Sequence, residues 1–348
     1  MSHVLFFFVA FLLSLILSFF AVKLLPKLGF TDRIESHSLK KKLVPRGGGV
    51  AIFLTFTILA LIFLPLDRKL VGLIVGGGIV FLVNFIDDRV GLKWYMRLGA
   101  ELLAALVIIA FGIGMLNISN PLSGEAIALD FWRIPIGSHY IVPISDLFTI
   151  IWILVFVNML NWLDGLDGLA AGVSGICALT LFALATLPFV DQPEMAKLAL
   201  ILAGAVTAFL IFNFYPAKIR LGDSGSTFLG FTLAVLAIYA SGKIATFFLV
   251  LGLPLLDVAW VIGRRVFLDK KTPFHGDQKH FHHRLLKAGF SERKVVIIYY
   301  LFCASFGTIA LVLQGAQQKL LAIAGLLTAT VTFAAWVVWR GKEKRLDK

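Results

Sequence analysis

Apolar residues run along this chain in blocks of about twenty, separated by short stretches that carry nearly all of its charge. Each block is long enough to cross a hydrocarbon core, and a segment in lipid must be helical because its backbone groups have no water to bond. The blocks fall at Val4–Leu25, Gly47–Leu66, Leu70–Ile86, Leu98–Leu116, Leu147–Leu163, Leu169–Pro188, Ala196–Phe214, Ser226–Ala240, Ile244–Ile262, Val295–Leu313 and Leu320–Trp339. They predict roughly eleven transmembrane helices. The first block has no basic n-region, and its nearest positive charges, Lys23 and Lys27, come at and after its far end, which predicts an uncleaved helix with its N-terminus outside rather than a signal peptide. Between the fourth and fifth blocks, alternation from Ala128 to Val142 predicts a short external β-hairpin.

The positions of the basic residues give an orientation. If the N-terminus is outside and the helices alternate, 26 of the 32 Lys and Arg lie on the cytoplasmic side and 6 (Arg68, Lys69, Arg133, Lys197, Lys243 and Lys319) outside. A missing span would have scrambled that bias. With an odd number of spans the C-terminus is cytoplasmic, in keeping with its basic tail. The expected architecture is an all-α polytopic integral membrane protein, one domain over 1–348 with a cytoplasmic His-containing loop at 263–294. Composition agrees: 59% hydrophobic and 15% charged residues with a mean hydropathy of +0.93 exclude a soluble globule. The net charge of +12 reads as topology and attraction to anionic headgroups, with no nucleic acid as partner. Cys177 and Cys303 lie far apart inside apolar blocks and read as small buried residues.

The carboxylates gather at the predicted cytoplasmic ends. Asp87-Asp88 follows Asn84 at the end of the third block. Asn158-Met-Leu-Asn161-Trp-Leu-Asp164-Gly-Leu-Asp167-Gly168 joins the fifth and sixth, and Gly222-Asp223-Ser-Gly-Ser226 leads into the eighth. An Asp-Gly pair alone is an ordinary turn. Three such clusters on one face, placed there by Lys and Arg alone, predict one shared site. Carboxylates with asparagine amides form the hard oxygen set that Mg²⁺ prefers, and Mg²⁺ commonly bridges a protein to a diphosphate. The start of the eighth helix is expected to offer free N–H groups to a phosphate.

Two further segments join this set. His280, His282, His283 and Arg284 lie in the last large cytoplasmic loop, Pro273 to Leu286. They suit phosphate and sugar oxygens better than zinc, for which no further ligand is suitably spaced. The first loop, from His37 through Pro45-Arg46-Gly-Gly-Gly49, is either simple basic anchoring or part of the site.

These ordered motifs resemble the polyprenyl-phosphate N-acetylhexosamine-1-phosphate transferases, glycosyltransferase family 4, across nearly the whole chain. The His-Phe-His-His-Arg-Leu and Pro-Arg-Gly-Gly-Gly forms resemble the WecA and TagO branch rather than MraY. The resemblance implies transfer of N-acetylglucosamine-1-phosphate from UDP-GlcNAc to undecaprenyl phosphate, with UMP released, at the cytoplasmic face of a bacterial inner membrane. Other implied donors are UDP-MurNAc-pentapeptide or another UDP-N-acetylhexosamine. Mg²⁺ is the implied cofactor, with Mn²⁺ as a substitute, and a homodimer is one implied assembly. By the same resemblance Asp87, Asp88, Asp164, His280 and His282 are catalytic, with Asp87 or Asp88 as a base. Asp223 and Asp164 hold the metal, and Asn161, Asp167, Asn213, His283, Arg284 and Arg46 contact substrate. Arg220 departs from the family, which often has an aromatic residue there to stack on uracil. Direct displacement by the lipid phosphate and double displacement through an aspartyl phosphate both remain open. A secondary transporter is the reading from another class, but its ionisable groups are expected near mid-membrane within repeated helices.

Overall fold

The computed structural model describes residues 3–31, 44–120, 125–136, 139–239, 244–267, 280–313 and 315–346. The basic stretch 32–43 and the segment 268–279, with Pro273 to Lys279, lie outside the described residues. The chain forms two compact units, Met1–Asn120 with Glu125–Ile244, and Pro121–Gly124 with Ala245–Lys348.

The first unit contains α1 (His3–Leu24), α2 (Gly49–Phe63), α3 (Arg68–Val90), α4 (Trp94–Ala110), α5 (Pro143–Leu163), α6 (Leu169–Ala185), α7 (Pro193–Asn213) and α8 (Gly222–Tyr239). Its centre is α8, whose side chains from Ser224 to Ile238 are all buried. A helix apolar all round belongs inside a bundle, and α2, α3, α5, α6 and α7 pack against it. The outermost layer is α1. It buries Ala10, Ser14, Ser18 and Ala21 and leaves Phe8, Leu12, Ile16 and Phe20 exposed at fourfold spacing, the pattern of a helix with one face on protein and one in lipid. Small residues let α1 approach α7 closely, and Ser14 Oγ donates to the Ala205 carbonyl at 2.7 Å.

The chain is an all-α polytopic membrane protein. Among the described residues, six helices are long and apolar enough to cross a membrane: α1, α3, α5, α7, and in the second unit α12 (Glu292–Val312) and Gln317–Val337 of α13 (Ala316–Leu346). The apolar helices α2 and α6 are shorter. The predicted ninth span is in fact two helices, α9 (Ile244–Val250) and α10 (Gly252–Phe267). Pro254 explains the break, since it has no N–H for the Val250 carbonyl and its ring crowds that group. The second unit also contains α11 (Phe281–Lys287), a short helix where a loop was expected.

The segment between α4 and α5 forms two antiparallel hairpins. One pairs β1 (Asn117–Ser119) with β2 (Ala126–Ala128), and the other β3 (Ile134–Ile136) with β4 (His139–Ile141). The second is the hairpin expected between Ala128 and Val142. The first was not anticipated. Cys177 and Cys303 are free and buried, as their positions predicted.

Candidate active site

In the first unit α3, α5 and α7 end where α2, α4, α6 and α8 begin, and the three acidic clusters meet at that end. The backbone ahead of α8 holds the Pro-Arg-Gly-Gly-Gly segment there. Arg220 N–H donates to the Pro45 carbonyl at 2.8 Å, Gly48 N–H to Arg220 at 2.9 Å and Gly49 N–H to Leu221 at 2.9 Å. The helix starts behind these segments touch so closely that a Cβ on Gly49 would lie 2.2 Å from the Gly225 Cα. Arg46 is thereby fixed beside α8.

Asp88, near the end of α3, closes the start of α8. Its side chain is fully buried and accepts from Asp223 N–H at 2.8 Å, Ser224 N–H at 3.1 Å and Ser224 Oγ–H at 2.6 Å. Arg46 Nε pairs with it at 3.0 Å. This corrects the expectation that these N–H groups face a phosphate: a carboxylate from another helix already satisfies them. Gly222 has a φ of 81°, and a Cβ there would fall 2.6 Å from Asp88 Oδ2, so the turn requires glycine on both counts.

Asp223 faces the opposite way and collects three partners. Oδ1 is 2.7 Å from Arg46 Nη2 and accepts from Asn161 Nδ2 at 3.1 Å, and Oδ2 is 3.3 Å from Arg97 Nη1. The same Arg97 nitrogen lies 3.3 Å from Asp87 Oδ2, and Asp87 Oδ1 accepts the Leu92 N–H. Arg97 was missed as a site residue. A signal existed, because a cation in the first turn of a helix opposes the helix dipole and needs a partner to justify it. Ser224 was also missed, as was Glu101, which accepts from Asn158 Nδ2 at 2.7 Å.

Asp164 stands at the end of α5. Burial, then the Asp223 carboxylate, pushes its pKa well above the usual carboxylate range, with Asp88 adding to the rise and Arg46 and Arg220 opposing it. Asp164, Asp167, Asn213 and Arg220 line a recess of about 50 Å³, room for a water or two and too small for a nucleoside. Two of these residues brace its walls. Asp167 accepts from Ala217 N–H at 3.0 Å, and Asn213 accepts from Gly168 N–H at 3.1 Å while donating to the Ile219 carbonyl at 3.0 Å.

Four carboxylates (Asp87, Asp88, Asp164 and Asp223) thus share a neighbourhood with the guanidinium groups of Arg46, Arg97 and Arg220. Among the described residues no three His, Cys, Asp or Glu side chains converge to cage a metal. The oxygen donors still fit Mg²⁺, which keeps several waters and takes one or two carboxylates plus substrate phosphates.

The histidine segment belongs to the second unit. His280 Nδ1 lies 3.2 Å from Asp257 Oδ2, and the His280 and His282 rings stack at 5.6 Å and 8°. The His282 ring is buried, and among the described residues neither of its nitrogens has a hydrogen-bond partner. Burial, then the neighbouring His283 and His280, pushes its pKa well below the usual value, which favours the neutral ring. Arg284 lies over the Trp260 ring at 5.8 Å.

Residues 70–241 match the sequence profile of the family described as glycosyl transferase family 4. The chain is 31% identical over 321 residues to a probable undecaprenyl-phosphate N-acetylglucosaminyl 1-phosphate transferase of Bacillus subtilis, covering 89% of this chain and 84% of that protein. It is 30% identical over 291 residues to a decaprenyl-phosphate N-acetylglucosaminephosphotransferase of Mycobacterium leprae, covering 74% and 70%. A phospho-N-acetylmuramoyl-pentapeptide-transferase of Carboxydothermus hydrogenoformans is 29% identical over 297 residues, covering 78% and 86%. With an acidic site built by all three expected motifs and relatives aligned along most of its length, this chain belongs to glycosyl transferase family 4.

Proposed function

We propose that the chain transfers N-acetylglucosamine-1-phosphate from UDP-GlcNAc to a polyprenyl phosphate, undecaprenyl phosphate being the acceptor in a bacterial plasma membrane. The products are UMP and polyprenyl-diphosphate-GlcNAc, the start of a cell-surface polysaccharide such as a lipopolysaccharide or teichoic acid chain. The observation that carries this reading is the meeting of Asp87, Asp88, Asp164 and Asp223 with Arg46 and Arg97 at one end of the first unit's helices. The names of the B. subtilis and M. leprae relatives support the sugar and the acceptor. A site at helix ends, rather than mid-membrane, favours an enzyme over a transporter.

In the reaction an oxygen of the lipid phosphate bonds to the β-phosphorus of the UDP-sugar as the bond from that phosphorus to the bridging oxygen breaks, and UMP leaves with the bridging electrons. A dianionic lipid phosphate has no proton to lose. From a monoanion Asp87 takes it, because Asp88 is committed to capping α8. Asp223 with Asp164 would hold Mg²⁺, which when bound would supply charge neutralisation to the diphosphate and to the departing UMP. Arg46 and Arg97 orient Asp223 and offset the cluster's negative charge, which would otherwise repel both anionic substrates. Asn161 holds Asp223 from the side opposite Arg97, and Asp167 and Asn213 shape the turn on the nucleotide side. His280, His282, His283 and Arg284 are assigned to the transferred phosphate and sugar oxygens. Eleven crossings, with the acidic ends in the cytoplasm, complete the reading, supported by the 26 to 6 division of basic residues.

The test is UMP release by the purified protein from a panel of UDP-sugars, with and without Mg²⁺ or Mn²⁺, given polyprenyl phosphate. Turnover with UDP-GlcNAc that stops on chelation and returns with Mg²⁺ is expected. Metal-independent turnover would refute the metal assignment, and turnover with the muramyl-pentapeptide nucleotide alone would refute the donor. A phosphorylated enzyme trapped without lipid acceptor would refute direct displacement.

A further inference from the structure

The second unit buries a carboxylate that none of the sequence motifs includes. Asp257 lies on α10, 7% exposed, three residues after the proline that breaks the span. Its two oxygens hold two parts of one segment: Oδ2 is 3.2 Å from His280 Nδ1, and Oδ1 accepts the Phe281 N–H at 2.7 Å. A carboxylate accepts only, so the contact places a proton on His280 Nδ1 and leaves Nε2 as the nitrogen for another partner. Both side chains are buried, where such a bond is stronger than in water. The ring so fixed stacks on His282, whose nitrogens have no partner among the described residues. Asp257 therefore stands behind a pair of aligned imidazoles.

We propose that Asp257 is a positioning residue for the transfer reaction, setting the tautomer and orientation of His280 so that Nε2 meets the substrate. This rests on the assignment of His280 to the reaction made above. A purely structural Asp257 would do no more than tie α11 to α10 through the Phe281 N–H. The two roles separate in Asp257→Asn. Its single carbonyl oxygen can accept from Phe281 or from His280 but not hold both as the carboxylate does, and it has no charge to stabilise a protonated ring.

The experiment uses the full chain in detergent with ¹⁵N-labelled histidine rings, the His280 signals being assigned with His280→Gln. In the wild type His280 is expected to be protonated at Nδ1 without any substrate present. Asp257→Asn is expected to lose that tautomer and to lower kcat by about 10²-fold or more. The KM for UDP-GlcNAc should change by no more than about threefold, since ground-state binding is not what Asp257 supplies. Asp257→Glu should recover part of kcat, which a bare tie to α11 would not require. A wild-type His280 protonated at Nε2 overturns the proposal, and so does normal kcat in Asp257→Asn where His280→Ala is inactive. If Asp257→Asn does not fold, the wild-type tautomer and the kcat of Asp257→Glu decide. Full turnover in His280→Ala would instead remove the assignment beneath the proposal, a failure told apart by the tautomer, which needs no substrate.

Discussion

The two aspartates bridged by Arg46 differ in what their oxygens hold. Asp88 has no exposed side-chain surface and accepts three hydrogen bonds from the start of α8 in addition to the Arg46 contact. In Asp88→Asn an amide NH₂ must face one of those donors, leaving buried groups unpaired. The expected loss is roughly 3 kcal/mol of stability, read as a lower melting temperature in detergent together with lost turnover. Ser224→Ala, which removes one of the donors and nothing charged, should cost about 1 kcal/mol. Asp223 is more open, and its partners are side chains that can rotate to water. Asp223→Asn should therefore melt within a few degrees of the wild type, yet lower kcat by about 10²–10³-fold through lost electrostatic stabilisation. Near-normal turnover of purified Asp223→Asn would count against its metal role. Sequence spacing picked out both aspartates but could not separate these jobs, because the difference lies in which helix end each carboxylate meets.

At the level of elements, hydropathy revealed the helices because lipid imposes it directly: every spanning segment must be apolar and helical. It did not reveal where a helix breaks without losing hydropathy, as at Pro254, or strands of only three residues such as β1 and β2, which offer too little alternation to read. The site was legible as far as its residues sat in Asp-Gly and Gly-rich turns between apolar blocks. Arg97, Ser224 and Asp257 lie within helices, and their partners come from packing between distant segments: the place of Arg97 in a helix's first turn and of Ser224 beside Asp223 hints at a role without naming the partner, and nothing local marks Asp257. The clearest element-scale dependence is the crossing of α2 and α8. At Gly49 an added Cβ would meet the backbone of Gly225, not a side chain able to swing away, so the helix starts must separate. Gly49→Ala is expected to cost about 1–3 kcal/mol by overpacking and to reduce turnover beyond that, since Arg46 is three residues away. Gly78, whose added Cβ would meet nothing within 4 Å, is the control: Gly78→Ala should leave turnover unchanged and stability equal or slightly higher. Equal melting temperatures for Gly49→Ala and Gly78→Ala would show that the crossing does not hold the site together.

For the whole molecule, the orientation drawn from basic residues and the alternation of helix ends in the first unit are independent lines that can be checked together. Arg46, Asp88, Arg97, Asp164 and Asp223 cluster where α3 and α5 end and α4 and α8 begin, while Lys69 lies at the opposite end of α3. If the acidic end is cytoplasmic, Lys93, one residue before α4, must be cytoplasmic as well and Lys69 external. Both native cysteines are about 1% exposed and should react little with a charged maleimide. In cells, Lys69→Cys is therefore expected to be labelled by a membrane-impermeant maleimide added from outside. Lys93→Cys should be labelled only after the membrane is opened. The reverse pattern would place the carboxylates outside, away from cytoplasmic nucleotide sugars, and remove the basis for the transfer reaction. Labelling of both from outside would mean that α3 does not cross. The expected pattern gives the negative cluster a position at the cytoplasmic surface, where a soluble UDP-sugar can approach while the acceptor's isoprenoid stays in lipid.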